Sequence, residues 1–510
     1  MQIEVVMSKT HLRWLNLLVL ALLAAAILAR SVSGSLAQAS SYEAIDAYVE
    51  QQLDRLNLPG AALAIVEGEQ IVHLHTFGQA RPNGDAPTPQ TPFFIGSLTK
   101  SFTALAVMQL VEADKIALDA PVQRYLPWFR VADSQASAQM TVRHLLNQTS
   151  GLPQTAGMIP LADFDQSPDA VERQARDLAT LALTRPVGAA WEYSNLNYNL
   201  LGLVIEAVSG ESYEAYVQKH IFTPLGMHHS YTAKAAAQRD GLAVGHRSWF
   251  GFPVAAADLP VPVGSLPSGQ LIASAEDLAH YLIAQLNGGR YGDVQVLSAE
   301  SVAEMQRPAV AAAAMGVEMG AYGMGWFVQA TDRGTRIWHN GQVPDYFAYM
   351  ALLPEQRRGM ALLVNANHML VNFALLGMGE DAASLLAGAP PATFPYGVIP
   401  WALRGFLLVP VAQAIGVFAT WRGLRSWRLD PSRRPAGVRL WLRPIGLSIV
   451  LNLALAAAAL ALLATDLRPM ILLFMPDLSW LALICGGFAL VWMFVRTGLI
   501  LNISRTTSVS

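Results

Sequence analysis

The sequence predicts an α+β domain, an antiparallel sheet flanked by helices, joined to a C-terminal set of three membrane-spanning helices. Three observations carry that expectation. Four short strand-like runs follow one another between residues 325 and 365 with turn residues between them, which is the pattern of a meander. Helical periodicity dominates the middle of the chain. Beyond residue 397, three apolar stretches are each close to the length needed to cross a bilayer. The 510 residues are 53% hydrophobic with a mean hydropathy of +0.34, too apolar for an ordinary soluble protein and suited to a large domain with membrane segments.

The elements follow in order. Lys9 and Arg13 precede an apolar stretch from Trp14 to Ala29, and Leu36-Ala37-Gln38-Ala39 follows, so residues 1–39 read as a secretory signal or an N-terminal anchor. Residues 40–387 form the predicted globular domain. A first helix fits Tyr42 to Leu56, and Ala61 to Glu67 with Gln70 to Phe77 reads as a hairpin over Gly68. From Ser97 to Val111 the residues are apolar on nearly every face of a helix, with Lys100 the only charge. A buried ammonium is costly, so Lys100 is either paired or has a lowered pKa. Ser97, three residues earlier, lies on the same face at the helix start, where backbone N–H groups favour an anion. A capping serine near a lysine is common, so this pair alone says little.

Further along, Tyr193, Ser194 and Asn195 precede a helix that ends near Gly210, with Ser194 or Asn195 as its cap. The meander is predicted over Gly325 to Gln329, Thr335 to Trp338, Phe347 to Leu353 and Gly359 to Asn365. His339, Asn340 and Gly341 fall at the end of its second run, before a turn through Pro344-Asp345, where a glycine lets a substrate backbone approach the strand edge. A helix from Val371 to Leu386 closes the domain.

Residues 388–397 read as a linker and residues 398–510 as a three-helix membrane domain, with spans near Val398–Thr420, Ile445–Thr465 and Leu478–Val495. Arg422, Arg425, Arg428, Arg433, Arg434, Arg439 and Arg443 lie between the first two, opposed only by Asp430. The positive-inside rule puts that loop in the cytoplasm, so the globular domain faces outward, Asp466 to Asp477 is an external loop, and Arg496 and Arg505 are internal. Trp401 and Arg404 fit an interfacial belt and a snorkelling side chain.

Residues 40–397 hold 20 Lys and Arg against 33 Asp and Glu, which argues against a nucleic-acid partner. Cys485 is the only cysteine, so disulfides, a zinc knuckle and cysteine catalysis are excluded. His73 and His75 share a strand face, and His228 and His229 adjoin, but neither pair has a third donor at useful sequence spacing. H-E-x-x-H and G-x-S-x-G do not occur. No metal and no cofactor are expected.

S-L-T-K at Ser97, Y-S-N at Tyr193 and H-N-G at His339 resemble, in this order, the S-x-x-K, Y-x-N and [K/H]-x-G elements of penicillin-recognising serine hydrolases of the class C β-lactamase type. VRHLLNQTSGLP from Val142, TPLGM from Thr223, SGQLIASAEDLAHYL from Ser268 and YGMGW from Tyr322 extend the likeness over residues 41–387. The resemblance implies a β-lactamase/transpeptidase-like fold, with an antiparallel sheet beside a helical lobe. It implies Ser97 as nucleophile with Lys100 and Tyr193 as its proton relay, the base among the two being open. It further implies an oxyanion hole from the backbone N–H groups of Ser97 and Gln342, with Asn195, His339, Asn340 and Gly341 on the substrate.

Typical β-lactamases carry lysine where this chain has His339, so recognition of a free carboxylate is disfavoured. A globular domain of this kind followed by three spans is similar to the prodrug-activating peptidases of nonribosomal peptide pathways. That resemblance implies an outward-facing, multi-pass enzyme of a bacterial cytoplasmic membrane that removes an acyl-D-amino-acid cap from a peptide precursor. Its partners would be a small peptide or acyl-amino-acid substrate, the lipid bilayer and an exporter. An esterase, β-lactamase or cell-wall peptidase on the same machinery, and a non-catalytic membrane sensor, are the competing expectations.

Overall fold

The computed structural model describes residues 41–314, 316–392, 395–433, 446 and 448–506. The expected leader over residues 1–39 lies outside them, as do Arg434, Arg439 and Arg443. The chain divides into two units, Met1–Ala44 and Ile45–Ser510, and of the first only the opening turn of a helix is described.

That helix, α1 (Ser41–Leu56), buries Ile45, Val49, Leu53 and Leu56, an apolar stripe at helical spacing. Strands β1 (Gly60–Glu67) and β2 (Gln70–Gly78) form the predicted hairpin, and Gly68 takes a φ of +59° at its tip. Helix α2 (Thr99–Glu112) follows a short 3₁₀ turn, Gly96–Leu98. All ten of its residues from Thr99 to Met108 are buried, as its uniform apolarity predicts. The hydroxyls inside it are spent on carbonyls: Ser101 Oγ donates to Leu98 O of the preceding turn and Thr103 Oγ1 to Pro267 O of a distant segment. Helix α3 (Asn195–Ser209) ends on Gly210 in the left-handed conformation, the expected stop.

The meander is longer than predicted. Helix α4 (Ala275–Leu286) precedes strands β3 (Val310–Ala314), β4 (Val317–Tyr322), β5 (Phe327–Thr331), β6 (Gly334–Val343), β7 (Tyr346–Leu353) and β8 (Arg358–Val364), and helix α5 (Asn372–Leu386) closes the domain. They make an eight-stranded antiparallel sheet in the order β2-β1-β8-β7-β6-β5-β4-β3. Strands β3 and β4 are additions to the four predicted runs. A small separate sheet contains a parallel pair, Ala366–Asn367 with His246–Trp249, which the meander gave no reason to expect.

Both faces of the large sheet are covered. Ala62, Ala64 and Val66 of β1 join the core cluster that contains Leu278 and Leu282 of α4. Ala61, Leu63 and Ile65 point to the opposite face and are equally buried. The helical lobe built around α3 packs on α2, so the start of α2 lies between lobe and sheet.

The C-terminal region departs from the expected three simple spans. Helices α6 (Val398–Gly405) and α7 (Leu408–Leu429) together form one long apolar stretch, Val398–Leu429, and the last helix, α10 (Pro476–Thr506), holds another over Pro476–Ile503. Between them α8 (Ser448–Ala464) and α9 (Arg468–Phe474) are bent by 111°. Among the described residues, two helices are thus long and apolar enough to cross a membrane, or three if the bent pair counts as one span. Arg422, Arg425 and Arg428 lie on α7 and not in a loop, because the local sequence favours helix through Leu429. Arg404 stacks on the rings of Trp401 and Phe252, 4.7 and 4.5 Å from their centroids, and donates to Gly251 O.

The expected external loop over Asp466–Asp477 is largely helical and is held by the globular domain. Met470, Leu473 and Phe474 of α9 bury themselves against Met158, Ala162, Phe164 and Leu259. Asp477 has no exposed side-chain surface; it accepts from His368 Nε2 at 3.0 Å and from the backbone N–H of Phe250 at 2.8 Å. Breaking a buried pair strands its remaining member, so Asp477→Ala should destabilise by about 3–5 kcal/mol. The check is the thermal unfolding midpoint of the detergent-solubilised chain, and an unchanged midpoint refutes the prediction.

Candidate active site

The site is built where the turn before α2 meets the middle of β6. Gly96 takes a φ of +54°, and a Cβ there would lie 2.6 Å from Gly341 C and would overlap Gln342 N. A Cβ on Gly341 would overlap Ile95 O and come within 2.9 Å of Ser97 N. Two glycines therefore let turn and strand touch backbone to backbone, which sets the N–H groups of Ser97 and Gln342 beside one small space. Gly341 is required by the protein's own turn, a different reason from the substrate approach read from sequence. His339, Asn340 and Gly341 also lie within β6 and not at its end, since β6 continues to Val343.

Lys100 is fully buried and its Nζ has three partners: Ser97 Oγ at 3.0 Å, Asn195 Oδ1 at 2.7 Å and the carbonyl of Ser268 at 2.7 Å. The ring of Tyr193 lies 4.8 Å from Nζ and that of Tyr198 5.6 Å. Burial pushes the pKa of this amine well below the ordinary lysine value. Two of the partners can only accept. A neutral amine has two N–H bonds and one lone pair, so with both N–H bonds given to Asn195 Oδ1 and Ser268 O, the lone pair faces the Ser97 hydroxyl.

Tyr193, Ser194 and Asn195 bring the helical lobe to this point. The Tyr193 phenol is raised in pKa by burial, an effect partly offset by its hydrogen bond with Ser97. Ser194 is the N-cap residue of α3, yet its hydroxyl donates to Pro153 O and caps nothing. Asn195 is 8% exposed; its Nδ2 donates to Gly157 O while Oδ1 receives Lys100, so most of its amide is committed to the protein. Gln148, in the left-handed region at φ +58°, supports the segment by accepting from Ser194 N and Asn197 Nδ2.

His339 is 1% exposed among aromatic rings, with Phe327, Tyr322 and Tyr193 centroids at 5.2, 6.1 and 6.2 Å. Its Nδ1 faces the carbonyl of Asn340 at 2.6 Å and so carries the proton, leaving Nε2 toward the Tyr322 hydroxyl at 3.4 Å. Burial first, and the Lys100 charge second, lower its pKa to about 3. The imidazole is neutral throughout the physiological range and makes no cation for a substrate carboxylate.

The residues that the family resemblance implies lie on the three segments that meet here: Ser97 and Lys100 at the start of α2, Tyr193 and Asn195 at the start of α3, and His339, Asn340, Gly341 and Gln342 on β6. The Ser268 carbonyl, Gln148, Tyr198 and Tyr322 were not singled out individually, although three of the quoted motif stretches contain Ser268, Gln148 and Tyr322. A cavity of about 360 Å³ adjoins the end of β6, lined by the apolar Phe94, Val343 and Leu473, the last from α9, and by the charged Lys234, Arg247, Asp258 and Asp345. It borders the site without including Ser97. Away from the site, His73 and His75 do have a third polar neighbour that no sequence spacing revealed, Asp46 of α1.

The Beta-lactamase family model matches residues 45–382. Protein flp of Staphylococcus aureus is 27% identical over 336 residues, 64% of this chain and 64% of that protein, so the chain spans less than two thirds of this relative's length. Penicillin-binding protein 4 of Amycolatopsis lactamdurans is 30% identical over 62% of this chain and 85% of its own. Among solved structures, the octameric penicillin-binding protein homologue of Pyrococcus abyssi is similar with a TM-score of 0.60 and 30% identity, covering 69% of this chain and 78% of its own. The D-amino acid amidase of Ochrobactrum anthropi SV3, complexed with L-phenylalanine amide, is similar with a TM-score of 0.59 and 25% identity, over 68% of this chain and 98% of its own.

Proposed function

Since the chain belongs to the beta-lactamase family of serine hydrolases, we propose that it cleaves amide bonds of D-amino-acid derivatives through an acyl-enzyme on Ser97, outside a membrane to which its C-terminal helices anchor it. The observation that carries the reading is the placement of Lys100, whose Nζ has two fixed acceptors, Asn195 Oδ1 and Ser268 O, and lies 3.0 Å from Ser97 Oγ, so that a neutral amine there would turn its lone pair to the Ser97 hydroxyl. Lys100, lowered in pKa, is the base; Tyr193, raised in pKa, stays protonated and passes a proton to the leaving amine.

The Ser97 proton moves to Lys100 Nζ as Oγ bonds the substrate carbonyl carbon, and the resulting oxyanion is met by the N–H groups of Ser97 and Gln342. The C–N bond then breaks and the amine departs with the proton returned through Tyr193. Water hydrolyses the acyl-enzyme by the same route in reverse. Asn340 and the edge of β6 hold the substrate backbone, and Asn195 holds Lys100 as well as any substrate amide. The cavity at the end of β6, with apolar and charged side chains in its wall, is the receptacle for a further portion of the substrate, and Leu473 of the membrane-anchored segment lines it.

The neutral His339 supports amide over penicillin-type substrates, because a buried imidazole offers no cation to a carboxylate. The likeness to a D-amino acid amidase supports the D configuration, and the apolar C-terminal helices support an acyl-D-amino-acid cap on an exported precursor as the natural target. The test is to compare acyl-D-amino-acid amides with their L enantiomers, simple esters and a chromogenic cephalosporin. Preference for the D-amide is expected; preference for the ester or the cephalosporin overturns the substrate reading.

The pH profile is a second expectation. Lys100 must be neutral to act, so kcat/KM rises with pH through its lowered pKa and then levels. His339, neutral above about pH 3, adds no limb between pH 5 and 8. An ascending limb that vanishes in His339→Gln would assign the titration to His339 and overturn its assignment to Lys100.

A further inference from the structure

Four strands away from β6, at the free edge of the sheet, an H-x-H pair meets a carboxylate. His73 and His75 alternate on β2 so that both rings stand on one face, 5.9 Å apart and only 11° from parallel. Asp46, from the half-buried side of α1, points between them. Its Oδ1 and Oδ2 each lie 2.9 Å from His73 Nε2, and Oδ2 lies 3.3 Å from His75 Nδ1. One ligand atom from each residue falls within 4.8 Å of the others.

We propose that Asp46, His73 and His75 bind a divalent transition-metal ion of the zinc class. Tetrahedral zinc with bonds of about 2.0–2.1 Å holds its ligand atoms about 3.4 Å apart, so the two carboxylate–imidazole separations need shifts of only a few tenths of an ångström, and the two ring nitrogens, within 4.8 Å of each other, close on the ion by turning about their side-chain torsions. Two imidazole nitrogens select zinc-like ions over magnesium or calcium, which prefer all-oxygen cages. The site is accessible: the side chain of His75 is 46% exposed, while those of Asp46 and His73 are 15% and 20% exposed. Water supplies the fourth position from that open side.

The alternative is a plain hydrogen-bonded triad, with both imidazoles donating to one carboxylate. An ion improves on it because His73 Nε2 stands 2.9 Å from both carboxylate oxygens at once, a bifurcated contact and not one directed hydrogen bond, whereas a cation draws all three groups to one point. The ion would clamp α1 to β2, the edge strand. At about 4.8 Å per strand the clamp stands about 19 Å across the sheet from β6, so it is separate from the Ser97 centre.

The experiment uses the full chain in detergent, freed of metal by dialysis against a chelator and then titrated with Zn²⁺ by calorimetry. One ion per chain is expected, together with a higher unfolding midpoint. Asp46→Asn and His75→Ala should each abolish the isotherm and the midpoint shift while keeping the far-ultraviolet spectrum of the metal-free parent. His229→Ala, whose ring pairs with Asp240 at the surface, should leave both unchanged. If His75→Ala fails to fold, His75→Gln takes its place. No zinc binding by the parent chain, binding that survives in both Asp46→Asn and His75→Ala, or binding of Mg²⁺ in preference to Zn²⁺ overturns the proposal.

Discussion

Lys100→Met lowers kcat/KM for the preferred amide by about 10²–10⁴-fold, the contribution of a positioned general base. Methionine matches the length of lysine and fills the same fully buried channel, so the loss measures the amine and not a cavity. Stability distinguishes two accounts of the resting site. Were the amine a buried cation, its removal would relieve a large desolvation cost and the variant would be more stable than the parent. A general base must instead rest neutral, the direction in which burial moves the pKa of Lys100, and its loss then strips Asn195 Oδ1 and Ser268 O of their donor. Each abandoned acceptor costs about 1–3 kcal/mol, so Lys100→Met should be less stable and less active. Ser97→Ala provides the reference: it removes labelling by a fluorophosphonate completely while folding normally. A Lys100→Met chain that labels at the parent rate would remove the lysine from the mechanism.

The legible part of the site is the part encoded by short-range geometry. Ser97, in the 3₁₀ turn that leads into α2, and Lys100, on the first turn of α2, stand three residues apart, and the surrounding apolarity announces that the amine is buried. The hairpin at Gly68, the stop at Gly210 and the meander strands carry their own turn residues. Strands β3 and β4 escaped because the run from Val310 to Ala314 is four alanines after one valine, a composition that favours helix, and it becomes a strand only by pairing with β4. Long-range partners were equally invisible. Nothing local to His73 points to Asp46, 27 residues earlier and on another element. Nothing local to Asp477 points to His368, 109 residues before it, and a polar residue between apolar stretches reads by default as a solvated loop. The Ser268 carbonyl is a main-chain group, and its role depends on where its backbone passes rather than on which side chain it carries.

Gly341→Ala should be the most damaging small substitution in the sheet. Its Cβ would overlap the Ile95 carbonyl oxygen and lie 2.9 Å from Ser97 N, and both are backbone atoms that no rotamer change can clear. Neither side yields readily. β6 is paired along its length with β7, Gly341 facing Ala348, and the turn is fixed from its other side by Ile95 N donating to Leu271 O at 3.0 Å. The turn must therefore move by about an ångström away from β6, drawing the N–H groups of Ser97 and Gln342 apart. A displacement of that size costs about 10²-fold in rate, and the overpacking costs about 1–3 kcal/mol of stability. The loss should fall on kcat more than on KM, because an oxyanion exists only after attack. Gly84→Ala is the control: its φ is +93° but nothing lies within 4 Å of the new methyl, so about 1 kcal/mol is lost without effect on rate. Parent-like kcat/KM in Gly341→Ala would mean that the two N–H groups do not share the oxyanion.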